Sequence, residues 1–209
     1  MRIIIMSLKC FVKVGSVNNL SDARYFSAMN VNLLGFKLMD KNEDSITLES
    51  LNEIKNWISG VEIIGEFGNS NINYINGFIK NFSFDYIQVN YPCLIEDVEF
   101  DKNKVILNIN EFKKINPENI LDDLLVNYKD VFLINIDFKN EESLILLNKL
   151  FEKNFKVLNG FNHSIPFIKT MINQKKFYGI SIKGNNEIRP GYKDYSSFSD
   201  VLEFLNETN

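Results

Sequence analysis

Histidine and cysteine are nearly missing from this chain: it has one histidine, His163, and two cysteines, Cys10 and Cys93, far apart in sequence. These residues form no metal-ligand spacing, so a zinc site would be hard to assemble, and a reduced, cytoplasmic setting is the simplest expectation. No stretch approaches the ~18 apolar residues of a membrane span. The opening MRIIIMSLKC carries one Arg and an apolar run interrupted too soon for a secretory leader, so none is expected. An excess of positive charge is also missing. Net charge is -4 and the pI about 5.2, with basic residues scattered among acidic ones, which argues against nucleic acid or an anionic membrane as partner. Linkers rich in Pro, Gly or Ser and low-complexity segments are lacking, so residues 1–209 are expected to form one domain.

What is present is an alternation. Short apolar, β-branched runs occur at 11–14 (FVKV), 32–38 (NLLGFKL), 61–67 (VEIIGEF), 84–90 (FDYIQVN), 104–109 (KVILNI), 130–136 (DVFLINI), 155–160 (FKVLNG) and 177–184 (FYGISIKG). Most are separated by segments with helical spacing. Leu51, Ile54 and Ile58 repeat at i, i+3, i+7, with Gly60 as a stop signal; Leu144, Leu147 and Phe151 do the same, as do Phe198, Val201, Leu202 and Leu205. Asn19 with Asp22 resembles a capping box, and Pro117 stands at a first helical position. Only YPCLIEDVEFDKN, after the fourth run, offers no more than a short or irregular helix.

Strands apolar on both faces and separated by helices imply a parallel sheet, and eight such units predict a (β/α)₈ TIM barrel. The alternative is an open doubly wound sheet, but VGSVNN after the first run is not the G-x-G-x-x-G turn. In a barrel the active site forms at the C-terminal ends of the strands. Those ends hold Lys13 and Gly15, Lys37, Glu66, Gln88 and Asn90, Asn108 and Asn110, Asn135 and Asp137, Asn159 and Gly160, and Ser181 and Lys183. Amides dominate this ring, and amides orient ligands without exchanging protons near neutral pH. Acid–base chemistry would therefore rest on Lys13, Glu66 and Asp137. Each also has a structural reading: Lys13 as a buried stem paired with a carboxylate, Glu66 facing the helix layer, Asp137 capping a loop. Gln88, Asn90, Asn159, Ser181 and Lys183 are expected to line the pocket. Helix N-termini beyond the last two strands are the usual phosphate site of such barrels, which singles out Gly160, Asn162, Gly184 and Asn185. His163 is expected at the surface near a helix start.

The ending GISIKGNNEIRPGYKD resembles the G-V-D-V-S-S-G-V-E-x-x-P-G-x-K-D ending of phosphoribosylanthranilate isomerases, matching at Gly179, Glu187, Pro190, Gly191, Lys193 and Asp194. The opening is similar to the family's K-I-C-G-I-T-x-x-E-D-A, with Lys13, Asp22 and Ala23 in step, and IIGEFGNS to V-G-V-F-V-N. The resemblance implies a (β/α)₈ barrel, an Amadori rearrangement in tryptophan biosynthesis, a phosphorylated substrate and no cofactor. It also implies a Cys base and an Asp acid, and this chain has Gly15 and Asn135 at those positions. Cys10 is five residues short of that site, about 16 Å along a strand and on the opposite face. The family's Arg for the anthranilate carboxylate aligns with Asp44. Three expectations follow: a barrel that keeps a phosphate or small-anion pocket without the acid–base pair, a working isomerase with Lys13, Glu66 and Asp137 as substitutes, or a structural or partner-binding barrel.

Overall fold

Each apolar run forms a strand, and each strand pairs in parallel with the next. The computed structural model describes residues 8–40, 42, 44–110, 117–139, 141–184 and 196–206. The strands are β1 (Phe11–Val17), β2 (Leu33–Lys37), β3 (Glu62–Gly68), β4 (Tyr86–Asn90), β5 (Val105–Ile109), β6 (Leu133–Ile136), β7 (Val157–Asn159) and β8 (Gly179–Lys183). β1 also pairs with β8, from Phe11 opposite Gly179 to Gly15 opposite Lys183, and so closes the barrel.

The helices are α1 (Leu20–Ala28), α2 (Leu48–Lys55), α3 (Ile72–Asn81), α4 (Pro117–Asn127), α5 (Glu141–Glu152), α6 (Ile165–Gln174) and α7 (Ser196–Asn206). Between β4 and β5 the chain makes only two 3₁₀ turns, Ile95–Asp97 and Lys102–Lys104, as the irregular sequence there predicts. Asn19 caps α1 by accepting from the Asp22 amide at 2.8 Å, and Thr47 and Asn71 cap α2 and α3. α2 ends at Lys55, well before Gly60, and Ile58 lies beyond it. The buried face of α5 is Ser143, Leu146, Leu147 and Leu150, while Leu144 and Phe151 are exposed. SLILLNKLF is apolar nearly all round, so two adjacent stripes fit helical spacing and packing on the sheet selects one. Among the described residues no helix is long and apolar enough to cross a membrane.

Side chains alternate across each strand, and this divides the core in two. Outward residues such as Val12, Leu34, Ile87, Leu107 and Ile134 pack with the helices. Inward residues Leu33, Ile64, Ile106, Leu133 and Leu158 form a separate layer inside the barrel. Beneath that layer Phe11 and Tyr178 lie 4.8 Å apart and Tyr86 stacks on Phe132 at 4.3 Å, so aromatic rings close the N-terminal end. Among the described residues the barrel is therefore packed below, and its cavity lies at the strands' C-terminal ends. Because the inner layer is fully enclosed, Ile106→Ala is expected to cost about 2–5 kcal/mol in denaturant unfolding. A loss below 1 kcal/mol, roughly one methylene's worth, would mean that the layer is loosely packed.

Candidate functional site

Above the apolar layer, the inward positions of the strands turn polar and surround a cavity of about 520 Å³. Its centre is an ion pair. Lys13 Nζ lies 2.6 Å from Glu66 Oε1, and Lys13 and Glu66 are 2% and 7% exposed. The second carboxylate oxygen, Glu66 Oε2, accepts from the Ser16 amide at 2.8 Å. Glu66 thus faces the barrel interior and not the helix layer: it shares the face of Ile64, two residues earlier, which belongs to the inner layer.

Two glycines make this placement possible. A Cβ on Gly15 would lie 2.5 Å from Glu66 Oε1 and 2.8 Å from Lys13 Nζ, and one on Gly35 would lie 2.3 Å from Oε1 and 2.6 Å from Cδ. A side chain at either position would push the carboxylate off the lysine. The end of β1 also bends to serve Glu66. Ser16 takes φ 57°, left-handed backbone uncommon for a non-glycine residue, and the β1–β2 register shifts between Val14 and Val17. The strand continues through Gly15 and Ser16 to Val17, beyond the apolar run that marks it in the sequence.

Opposite the pair, three asparagines at matched register on β4, β5 and β6 form a ladder. Asn135 Nδ2 donates to Asn108 Oδ1 at 2.7 Å, and Asn108 Nδ2 donates to Asn90 Oδ1 at 3.0 Å. The ladder leaves Asn135 Oδ1 without a donor among the described residues, and Gln88 Oε1, also buried, is in the same state. At the rim, Asp137 pairs with Lys183 at 2.5 Å, and Lys37 reaches Asp44 at 3.5 Å.

Most of the residues singled out in the sequence come together here: Lys13, Glu66, Gln88, Asn90, Asn108, Asn110, Asn135, Asp137, Ser181, Lys183 and Gly184 line the cavity. Others do not. Asn159 is completely buried beside the pocket; its Oδ1 accepts from the amides of Phe161 and Asn162, and its Nδ2 donates to the Asn162 carbonyl. Asn162 Oδ1 accepts in turn from the Ser164 amide at 3.1 Å. The Gly160 amide donates to the Ile136 carbonyl and the Gly184 amide to the Gly15 carbonyl. The backbone donors expected to meet a phosphate at Gly160, Asn162 and Gly184 are therefore engaged within the protein. Pro166, in the first turn of α6, has no amide hydrogen to add. Asn185, with Glu187, Pro190, Gly191, Lys193 and Asp194, lies outside the described residues.

His163 is half-buried rather than at the surface. Its Nε2 lies 2.9 Å from the Ser181 carbonyl, which can only accept, so Nε2 carries the proton. Burial holds the imidazole below its ordinary pKa, against weaker opposing contributions from Ser181, Asp137 and Asn159. Cys10 precedes β1, at the far end of the barrel from the cavity, and burial pushes its thiol up to about 12 despite a hydrogen bond with the Ile180 backbone. Among the described residues no group of three or more His, Cys, Asp or Glu is placed to hold a metal.

Two outcomes are expected. Glu66→Leu or Lys13→Met should cost about 3 kcal/mol or more in denaturant unfolding by leaving one buried charge unpaired, while the two changes together should cost less than either alone. Additive single and double effects would show that the charges are not coupled. Burial lowers the pKa of His163 below the ordinary 6.5, so the contribution of its neutral form is full above pH 6.5 and is lost as pH falls through the lowered value. His163→Gln should flatten the fall in melting temperature with pH just below 6.5; an unchanged slope would assign it to other groups.

No protein-family model matches the chain, and no curated protein matches it either. Solved structures do match. Phosphoribosylanthranilate isomerase from Pyrococcus furiosus aligns at TM-score 0.69 and 19% identity, covering 94% of this chain and 96% of that one. The Thermus thermophilus enzyme aligns at 0.64 and 16%, with the same coverage. A phosphoribosylanthranilate isomerase in complex with reduced 1-(o-carboxyphenylamino)-1-deoxyribulose 5-phosphate aligns at 0.66 and 20%, again covering 94% and 96%. Over nearly its whole length, this chain has the (β/α)₈ fold of the phosphoribosylanthranilate isomerases.

Proposed function

We propose that the chain is a divergent phosphoribosylanthranilate isomerase-like barrel that binds a phosphorylated or similarly anionic small molecule and lacks efficient isomerase chemistry. The observation that carries this reading is the Glu66 carboxylate, which fills the space a side chain at position 15 would need. Resemblance puts the family's base at Gly15 and its acid at Asn135; glycine offers no proton acceptor, and the Asn135 amide donates to Asn108 as part of a ladder. Loss of an acid or a base removes about 10²–10⁴-fold each. Charge favours an anion, since Lys13, Lys37 and Lys183 line the cavity against Glu66 and Asp137. With the loop amides at Gly160, Asn162 and Gly184 engaged, the lysines Lys37 and Lys183 at the rim are the groups to receive the phosphate, each exchanging its carboxylate partner, Asp44 or Asp137, for it.

A second reading, an active isomerase in tryptophan biosynthesis, is favoured by one feature: a carboxylate stands where the base would be, and Asp137 lines the same cavity. Against it, both Glu66 oxygens already accept, from Lys13 and Ser16, and Asp137 accepts from Lys183 where an acid must donate.

The test is a fluorescence assay of purified protein with freshly made phosphoribosylanthranilate, alongside calorimetry with phosphorylated pentose ligands. Binding without turnover is expected. Turnover that survives purification and falls at least 100-fold in Glu66→Gln or Asp137→Ala, the scale of a lost acid or base, would establish the second reading. Failure of every phosphorylated ligand to bind would leave a structural barrel.

A further inference from the structure

The mouth cavity is bordered on one side by an uncharged, largely apolar strip. Met39, which lines the cavity, also lines a hollow of about 640 Å³ whose walls include Ile46, Leu48, Tyr74 and Phe78. The last three of these, with Gly77, line a second hollow of about 300 Å³ along α3. The two hollows thus form one groove between the segment leading into α2 and the surface of α3. From Asn73 to Asn81 the groove follows the helix for eight residues, about 12 Å. None of the described residues lining either hollow carries a charge. The mouth differs, with Lys13, Lys37, Lys183, Glu66 and Asp137 around it.

Two features point to an occupant. Gly77 stands exposed in the interior of α3, where glycine costs about 1 kcal/mol relative to alanine. Its own surroundings do not require it. Its φ is outside the left-handed region, and among the described residues no neighbouring atom comes within 4 Å of where its Cβ would be. The missing side chain leaves the groove open beside Tyr74. Met39 is the second feature. It stands at the junction of mouth and groove and rests on Gly68, where a Cβ would lie 2.5 Å from its Sδ. An unbranched thioether re-packs readily around a ligand, so this junction can widen.

We propose that the ligand is an amphiphilic anion, with its phosphate or similar group at the mouth lysines and a straight apolar chain running past Met39 into the groove over Gly77. This rests on the anion-binding reading above and specifies the other end of the ligand. The charged mouth suits the head, and the long uncharged strip suits an extended chain better than a compact group. Each methylene that it buries should raise affinity by up to about fourfold.

The test is calorimetry on the full chain with ethyl phosphate, n-octyl phosphate below its aggregation concentration, and n-octanol. Octyl phosphate should bind at least tenfold more tightly than either of the others. Gly77→Leu should keep or raise the melting temperature, because leucine is the better helix former and its Cβ meets open space. That variant should bind ethyl phosphate as before and lose the octyl gain, since its side chain fills the groove. Equal affinity for ethyl and octyl phosphate overturns the groove assignment and leaves the anion-binding reading standing, as does an octyl gain that persists in Gly77→Leu. Octanol binding as tightly as octyl phosphate overturns the link between groove and mouth. If neither phosphate binds, this inference and the anion-binding reading both fall. The comparison of probes uses the unmodified protein, so it decides the matter even if Gly77→Leu fails to fold.

Discussion

A lysine ammonium and a glutamate carboxylate 2.6 Å apart, almost wholly out of water, set the terms for the mouth of this barrel. Neither charge could be left there alone. Their contact requires empty space above β1 and β2, which Gly15 and Gly35 provide, and a backbone donor for the second oxygen, which Ser16 supplies at φ 57°. Gly15 is therefore more than a missing side chain. Glu66 fills the space a side chain at position 15 would need, so the small inward residue on β1 and the large one on β3 are complementary.

The remaining polar groups of the mouth are largely arranged to satisfy one another. Asn90, Asn108 and Asn135 form a ladder, Asn159 and Asn162 cap the amides of their own loop, and Lys183 holds Asp137. Side-chain amides suit this role because each donates and accepts at once. They hold a shape, and they neither give up nor take a proton near neutral pH. What the network leaves facing the cavity is the rim ion pairs, Lys183 with Asp137 and Lys37 with Asp44, while the unpaired oxygens of Gln88 and Asn135 are buried away from it.

The barrel was legible because its signal is local and repeated: β-branched runs of strand length, separated by helical spacing, occur eight times. The face of α5 was not, since SLILLNKLF is apolar in adjacent stripes and packing, a tertiary effect, chose between them. Cavity residues two apart on a strand, such as Gln88 and Asn90, were readable from strand period. Asn159 was not, because the ligand-like role of its amide is filled by its own loop three residues on. The position of Glu66 depends on glycines on two other strands, Gly15 and Gly35, and no single segment carries it. Complementary small and large inward positions on neighbouring strands were the available signal, and reading them needs the register.

The most direct measurement is an electron-density map of the barrel mouth from crystals grown near neutral pH. The Glu66 carboxylate is expected over Gly15 and Gly35, with one oxygen on Lys13 Nζ and the other on the Ser16 amide. Density with Glu66 turned away and water above the glycines would contradict the claim that this carboxylate fills the space a side chain at position 15 would need.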